Sequence, residues 1–175
     1  MAEQGYLLGL GSNIDPHHNM GEMVVGLLAH CSYFSISRVI DIPPVGMNSR
    51  RNFLNAVAYI ETPLDAKALK SLCNAIEIQL GRDRSDPRSK FKDRPADIDI
   101  LCVRSRAEII SKTSSEITDE YFLYPVLNEL QAFLAGQDLP TLQPGELIQI
   151  GDSTFGEAAT TIDGNTGAGN KRVFQ

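Results

Sequence analysis

Cysteine is scarce in this chain: Cys31, Cys73 and Cys102 are an odd number at wide spacing, with no CxxC. A disulfide framework and a cysteine-bound zinc are therefore excluded as organising features, and a reducing, cytoplasmic setting fits best. Positive charge is also in deficit. With 16 Lys and Arg against 22 Asp and Glu, the formal net charge is -6. No global positive field draws in nucleic acid or an anionic membrane, so any phosphate-binding site must be local. No stretch approaches the roughly 20 apolar residues of a membrane helix, and Met1 to Ser12 lacks a basic start followed by a long apolar run. A soluble, unexported protein is expected. Familiar chemical motifs are missing too. Gly9-Leu10-Gly11-Ser12-Asn13-Ile14 lacks the third glycine of a dinucleotide fingerprint, there is no GxxxxGK[ST] loop and no GxSxG elbow, and His17, His18 and His30 are not at zinc-ligand spacing.

What is present suffices for one core. The chain has 175 residues, 42% of them hydrophobic, which predicts a single domain over 1–150 followed by an extension, 151–175, whose Gly, Thr and Asn content is that of a flexible segment. No internal repeat is found. Gly5 to Leu10 reads as a buried strand closed by a turn at Gly11 to Asn13, and Met20, Met23, Val24, Leu27 and Leu28 follow at helical spacing. Tyr33 to Ile42 and Phe53 to Thr62 read as strands, separated by a loop with Pro43, Pro44 and Gly46. Asp65 caps a predicted helix with an apolar stripe at Leu69, Leu72, Cys73, Ile76 and Leu80, and Gly81 stops it. Ala96 to Val103 is a further strand. Ile117 to Phe133 reads as another helix interrupted at Pro125. The order of the first six elements predicts an α+β fold: a ferredoxin-like split β-α-β sandwich, with an antiparallel sheet carrying helices on one face.

The richest chemistry lies between Gly81 and Val103. Asp97 and Asp99 sit two apart in an otherwise apolar strand, so both carboxylates project from one face. At about 7 Å and an effective dielectric near 20 their repulsion is roughly 2 kcal/mol, to which burial adds. A hard cation such as Mg2+ would resolve it, as would an exposed edge position or pairing with nearby arginines. Arg82, Arg84, Arg88, Lys90, Lys92 and Arg94 concentrate positive charge in the loop feeding that strand. A polyphosphate is the natural ligand for such a loop beside a carboxylate pair, although the interspersed Asp83, Asp86 and Asp93 also suit a solvated charged loop. Ser, Pro and Gly in the loop suggest a lid that excludes water.

Five ordered motifs carry a resemblance. Gly11-Ser12-Asn13, Pro43-Pro44-Val45-Gly46, Asn52-Phe53-Leu54-Asn55-Ala56, Ile76-Glu77 through Gly81-Arg82-Asp83-Arg84, and Arg94-Pro95-Ala96-Asp97-Ile98-Asp99-Ile100 are similar to those of the hydroxymethyl-dihydropterin pyrophosphokinases of folate biosynthesis. The resemblance covers the first two-thirds of the chain. It implies a ferredoxin-like fold and transfer of pyrophosphate from ATP, as co-substrate, to 6-hydroxymethyl-7,8-dihydropterin with two Mg2+. By the same resemblance Asp97 and Asp99 would hold the metals. Arg82, Arg84 and Arg94 would act on the phosphates in catalysis, and with Glu77 and Ile98 would form the nucleotide side. Pro44, Val45, Phe53, Asn55, Phe91 and Tyr121, or else Phe122, would bind the pterin. Phe53 and Asn55 taken without the resemblance read rather as a core aromatic and a turn-capping amide.

The family's ATP-contacting Pro-His pair and a following arginine have no counterpart between Lys112 and Pro125, where Asp119 occupies the arginine position. Exchange of a cation for an acid there weakens phosphate binding. Two alternative functions follow: a non-catalytic or altered-substrate pterin-binding relative with weakened ATP binding, and a ferredoxin-like nucleic-acid or regulatory module. An acidic surface without paired RNP aromatics disfavours the last. The expected partners are small molecules, with neither nucleic acid nor membrane; a homo-oligomer is left open.

Overall fold

The computed structural model describes residues 2–139, 143–163 and 172–174. Strand β1 (Gln4–Ser12) is central, flanked antiparallel by β4 (Phe53–Thr62) and β5 (Asp97–Val103). β4 pairs further with β2 (Tyr33–Ile36) and β3 (Ile40–Ile42). One sheet results, in the order β5, β1, β4, β2, with β8 (Thr160–Asp163) and β9 (Arg172–Phe174) beyond β2 and β3 on β4 off this path. The expected α+β class with an antiparallel sheet is what the chain forms.

The single strand expected over Tyr33 to Ile42 is broken at Ser37. The Ser37 hydroxyl accepts from Val57 N at 3.0 Å and donates to Arg38 O at 2.9 Å. A side chain thus takes a ladder position, and the backbone is released to turn. Val39 then bonds to chain distant in sequence, its amide donating to Gly156 O and its carbonyl accepting from Glu146 N.

Alternation along the strands sends Tyr6, Leu8 and Leu10 of β1, Leu54, Ala56, Ala58 and Ile60 of β4, and Ile98 of β5 to one face. There they meet Met20, Met23, Val24 and Leu27 of α1 (Pro16–Leu28) and Leu69, Cys73 and Ile76 of α2 (Ala66–Gln79). Each such side chain removed from water contributes on the order of 1.5–3 kcal/mol before entropy is counted. Asp65 caps α2 by accepting from Ala68 N at 2.8 Å, and Gly81 ends the helix region at φ +102°, a conformation that side chains resist.

Helices lie on the second face as well as on the expected one. Leu7, Val57 and Tyr59 point there and are covered by Ile109 of α3 (Arg106–Ser111), Ile117 of α4 (Ser114–Ile117), and Val126, Leu127 and Leu130 of α5 (Tyr124–Leu134). Pro125 starts α5 rather than interrupting a longer helix, because its missing amide costs nothing in a first turn. Past residue 134 the chain returns to the sheet. β6 (Ile148–Ile150) and β7 (Ser153–Phe155) form a hairpin that places Ile148, Ile150 and Phe155 in the α1 core. β8 pairs with β2 through Ser35 and Thr161 and buries Ile162. Within the 151–175 extension, then, residues 153–155, 160–163 and 172–174 are strands; residues 164–171 and 175 lie outside the described set. Among the described residues no helix is long and apolar enough to cross a membrane.

Candidate active site

The register of the three central strands builds the site. Gly11 of β1 stands opposite Asn55 of β4 on one side and Asp97 of β5 on the other; Gly9 stands likewise between Val57 and Asp99. These residues share the second face of the sheet, and Asn55, Asp97 and Asp99 line the cavity beside the part that α5 covers at Val57. Two glycines therefore remove the side chains that would fill the space between the aspartates and Asn55. A Cβ at Gly11 would lie 3.0 Å from Asn55 Oδ1 and 3.8 Å from the Phe53 ring, tight enough to force Asn55 to move. The result is a cavity of about 370 Å³, within the range of small-molecule sites.

Its apolar wall consists of Phe53, Ile42, Pro43, Val45, Met47 and Phe122, and its polar wall holds Asn55, Asp97, Asp99, Arg82, Arg84, Arg94, Lys70 and Glu120. Of the residues expected at a site, Val45, Phe53, Asn55, the three arginines and both aspartates meet here. Pro43 lines the cavity in place of Pro44. Phe122 lines it in place of Tyr121, which is 66% exposed and meets Phe122 edge-on at 6.1 Å. Phe91, in a short 3-10 turn of the basic loop, is 56% exposed and outside the lining. Glu77 and Ile98 are fully buried behind the wall.

Glu77 anchors that wall. As β5 is an edge strand, the amide of Ile98 has no strand neighbour, and it donates instead to Glu77 Oε2 at 2.7 Å. Arg82 Nη1 lies 3.0 Å from the same oxygen, 3.1 Å from Ala96 O and 2.9 Å from Asp97 Oδ1; Arg84 Nε donates to Glu77 Oε1 at 2.6 Å. Arg94 Nη1 reaches Asp97 Oδ2 at 3.3 Å, and its guanidinium sits 5.5 Å from the centre of the Phe53 ring. Arg82 keeps one unmet donor, since its buried Nε has no partner among the described residues.

Asp97 is thus braced by two arginines, whereas Asp99 forms no ion pair among the described residues. Burial, reinforced by the charge of Asp97, pushes the Asp99 carboxyl above the usual range. Glu120 is raised in the same way, first by burial and then by Asp99 and Asp97. Asp99 and Glu120 are the acids of the lining without an ion pair among the described residues, although its four cations, Lys70, Arg82, Arg84 and Arg94, outnumber its three acids, Asp97, Asp99 and Glu120. No group of three or more His, Cys, Asp or Glu converges on a metal position among the described residues. Two carboxylates on one face nevertheless suit Mg2+, which takes one or two protein carboxylates and completes its shell with water and substrate phosphate.

The loop segments close over this wall through Asp93. Its Oδ1 accepts from Asn13 Nδ2 at 2.8 Å and from the Ser49 hydroxyl, and Asn13 Oδ1 accepts from Arg94 N at 2.7 Å. One carboxylate joins the end of β1, the loop before β4 and the end of the basic loop.

Sequence reasoning did not single out Lys70, Glu120 or Gly9. Lys70 lies seven residues before Glu77 and hence on the same side of α2, a relation visible once Glu77 is placed at the site. Glu120 stands just before the aromatic pair Tyr121 and Phe122, but only the fold shows that this segment reaches the aspartates.

A family model described as 7,8-dihydro-6-hydroxymethylpterin-pyrophosphokinase (HPPK) matches residues 7–132. The chain is also similar to three proteins named 2-amino-4-hydroxy-6-hydroxymethyldihydropteridine pyrophosphokinase. That of Porphyromonas gingivalis is 33% identical over 96 residues, 54% of this chain and 65% of the relative. That of Bacillus subtilis is 34% identical over 97 residues, 54% of this chain and 56% of the relative. That of Methylorubrum extorquens is 29% identical over 164 residues, 89% of this chain and 92% of the relative. The chain thus spans somewhat under two-thirds of the length of the first two.

Proposed function

Because the chain belongs to the 7,8-dihydro-6-hydroxymethylpterin-pyrophosphokinase family, we propose that it transfers the terminal pyrophosphate of ATP to the hydroxymethyl group of 6-hydroxymethyl-7,8-dihydropterin, a step of folate biosynthesis. The observation that carries this reading is the single cavity in which a carboxylate pair and three arginines face a slot with two aromatic rings and an amide.

Each wall has a role. Phe53 and Phe122 offer π faces to a flat heterocycle, and Asn55, held in place beside Gly11, offers both a donor and an acceptor to the ring edge. Asp97 and Asp99 would hold Mg2+, two ions in this reading; bound there, the metal would neutralise phosphate oxygens and bring the reacting groups into line. Arg82 and Arg94 fix the Asp97 carboxylate from the cavity wall. Arg84 borders the same cavity from the basic loop, and Glu77 sets the positions of both loop arginines. Little is asked of a general base, since positioning and charge stabilisation dominate phosphoryl chemistry.

A second reading, a pterin-binding relative with weakened nucleotide binding, draws on Glu120, an acid on the wall beside Asp99. Incubation with 6-hydroxymethyl-7,8-dihydropterin, ATP and Mg2+ separates the two. AMP and the pterin pyrophosphate appear together under the first. Pterin binding by calorimetry with no AMP would replace it by the second.

A further inference from the structure

The arginines of the cavity are engaged with the protein's own acids, Arg82 and Arg84 with Glu77, and Arg82 and Arg94 with Asp97. Lys70 differs. It lies on the exposed side of α2, it borders the cavity, and it has no ion pair among the described residues. It also borders an adjoining open groove of about 480 Å³ formed with Asp99, Ile100 and Leu101 of β5 and with Thr118, Asp119 and Glu120. Lys70 and three acids, Asp99, Asp119 and Glu120, are the charged residues of this groove. A polyanion passing from groove to cavity meets net negative charge unless cations accompany it, and Lys70 is the groove's own cation.

We propose that Lys70 binds a phosphate group of the nucleotide at the junction of groove and cavity, supplying from α2 the positive charge that the 113–125 segment does not provide. The inference rests on the pyrophosphokinase reading and names a residue of that site. Lysine suits the position: its ammonium is a compact charge on a flexible stem, able to follow a phosphate between two subsites without a fixed fork geometry.

Calorimetric titration with Mg2+ and α,β-methylene ATP, on the full chain, tests this. Lys70→Ala is expected to weaken nucleotide affinity about tenfold, as loss of a charge-assisted contact does, with Lys70→Arg restoring most of it. Pterin affinity and the thermal unfolding midpoint should stay unchanged, and in turnover the KM for ATP should rise more than kcat falls. Unaltered nucleotide affinity in Lys70→Ala, while the wild-type protein still forms AMP, would overturn the role of Lys70 alone. Equal losses of nucleotide affinity, pterin affinity and stability would also overturn it, by showing a structural residue. A wild-type protein that neither binds the nucleotide nor forms AMP would overturn the pyrophosphokinase reading and this inference together.

Discussion

Arg82 holds Asp97 at 2.9 Å with the same nitrogen that lies 3.0 Å from the fully buried Glu77. The candidate metal-binding strand is therefore fastened to α2 through one guanidinium, and the position of Asp97 depends on an acid that never meets the cavity. Glu77 compensates two arginines and one edge amide at once.

Glu77→Ala should destabilise the fold by about 3–5 kcal/mol, because it leaves buried charge without a partner. Glu77→Gln, which keeps an acceptor for the Ile98 amide, should cost less. Urea unfolding of the three proteins decides the matter. A loss below about 1 kcal/mol for the alanine variant would mean that Arg82 finds another partner.

The two aspartates should separate by stability rather than by activity. Asp99→Asn is expected to lower AMP formation on the order of a hundredfold or more while leaving thermal stability unchanged or improved, since it removes a carboxylate that burial and Asp97 disfavour. Asp97→Asn should lower activity comparably and also reduce stability, because it strips Arg82 and Arg94 of their partner. Retained pterin binding in both, followed by fluorescence, would show that the slot survives.

Phe122 and Tyr121 make opposite predictions although they are neighbours. Phe122→Ala should weaken pterin binding about tenfold through lost stacking and buried area, whereas Tyr121→Ala, with its ring mostly in solvent, should change it less than about twofold. The reverse order would place Tyr121 in the occupied slot.

Asp93 predicts a pH dependence. The Ser49 hydroxyl, with Asn13 and Arg51 assisting, holds its carboxyl below the usual value. A depressed folded-state pKa adds stability that is complete above the unfolded-state value, about 4, and is lost as pH falls through the lower folded value. Amide exchange in residues 45–52 and 85–94 should therefore be faster in Asp93→Asn than in wild type at pH 6. The difference should shrink towards pH 3. A difference independent of pH would assign the effect to packing rather than charge.

Local pattern revealed most of the framework. Phe53 to Thr62 is read from its β-branched and aromatic residues and the turn residues before it and is β4 to the residue, and Asp65 and Gly81 bracket α2 because capping and positive φ are decided within a few residues. Asp97 and Asp99 were equally visible, being two acids in an apolar strand. Lys70 and Glu120 were not, for their meaning depends on which segments the fold brings to β5. The strand at Thr160–Asp163 was missed for a related reason. Its polar residues carry little periodic signal, and it becomes a strand by pairing with Tyr33–Ile36 more than a hundred residues earlier. The break at Ser37 likewise depends on a hydroxyl meeting Val57 across the sheet.

The strand order β5-β1-β4-β2-β8-β9 sets the two rims of the sheet about 24 Å apart at the usual strand spacing. Ligand chemistry occupies β5, β1 and β4 at one side, and the last described strand lies on the opposite rim. A reporter dye or surface linker joined after Phe174 would stand off from the cavity residues of β4, Phe53 and Asn55, by three strand spacings, about 14 Å, so the protein can be tethered there without obstructing entry to its own site.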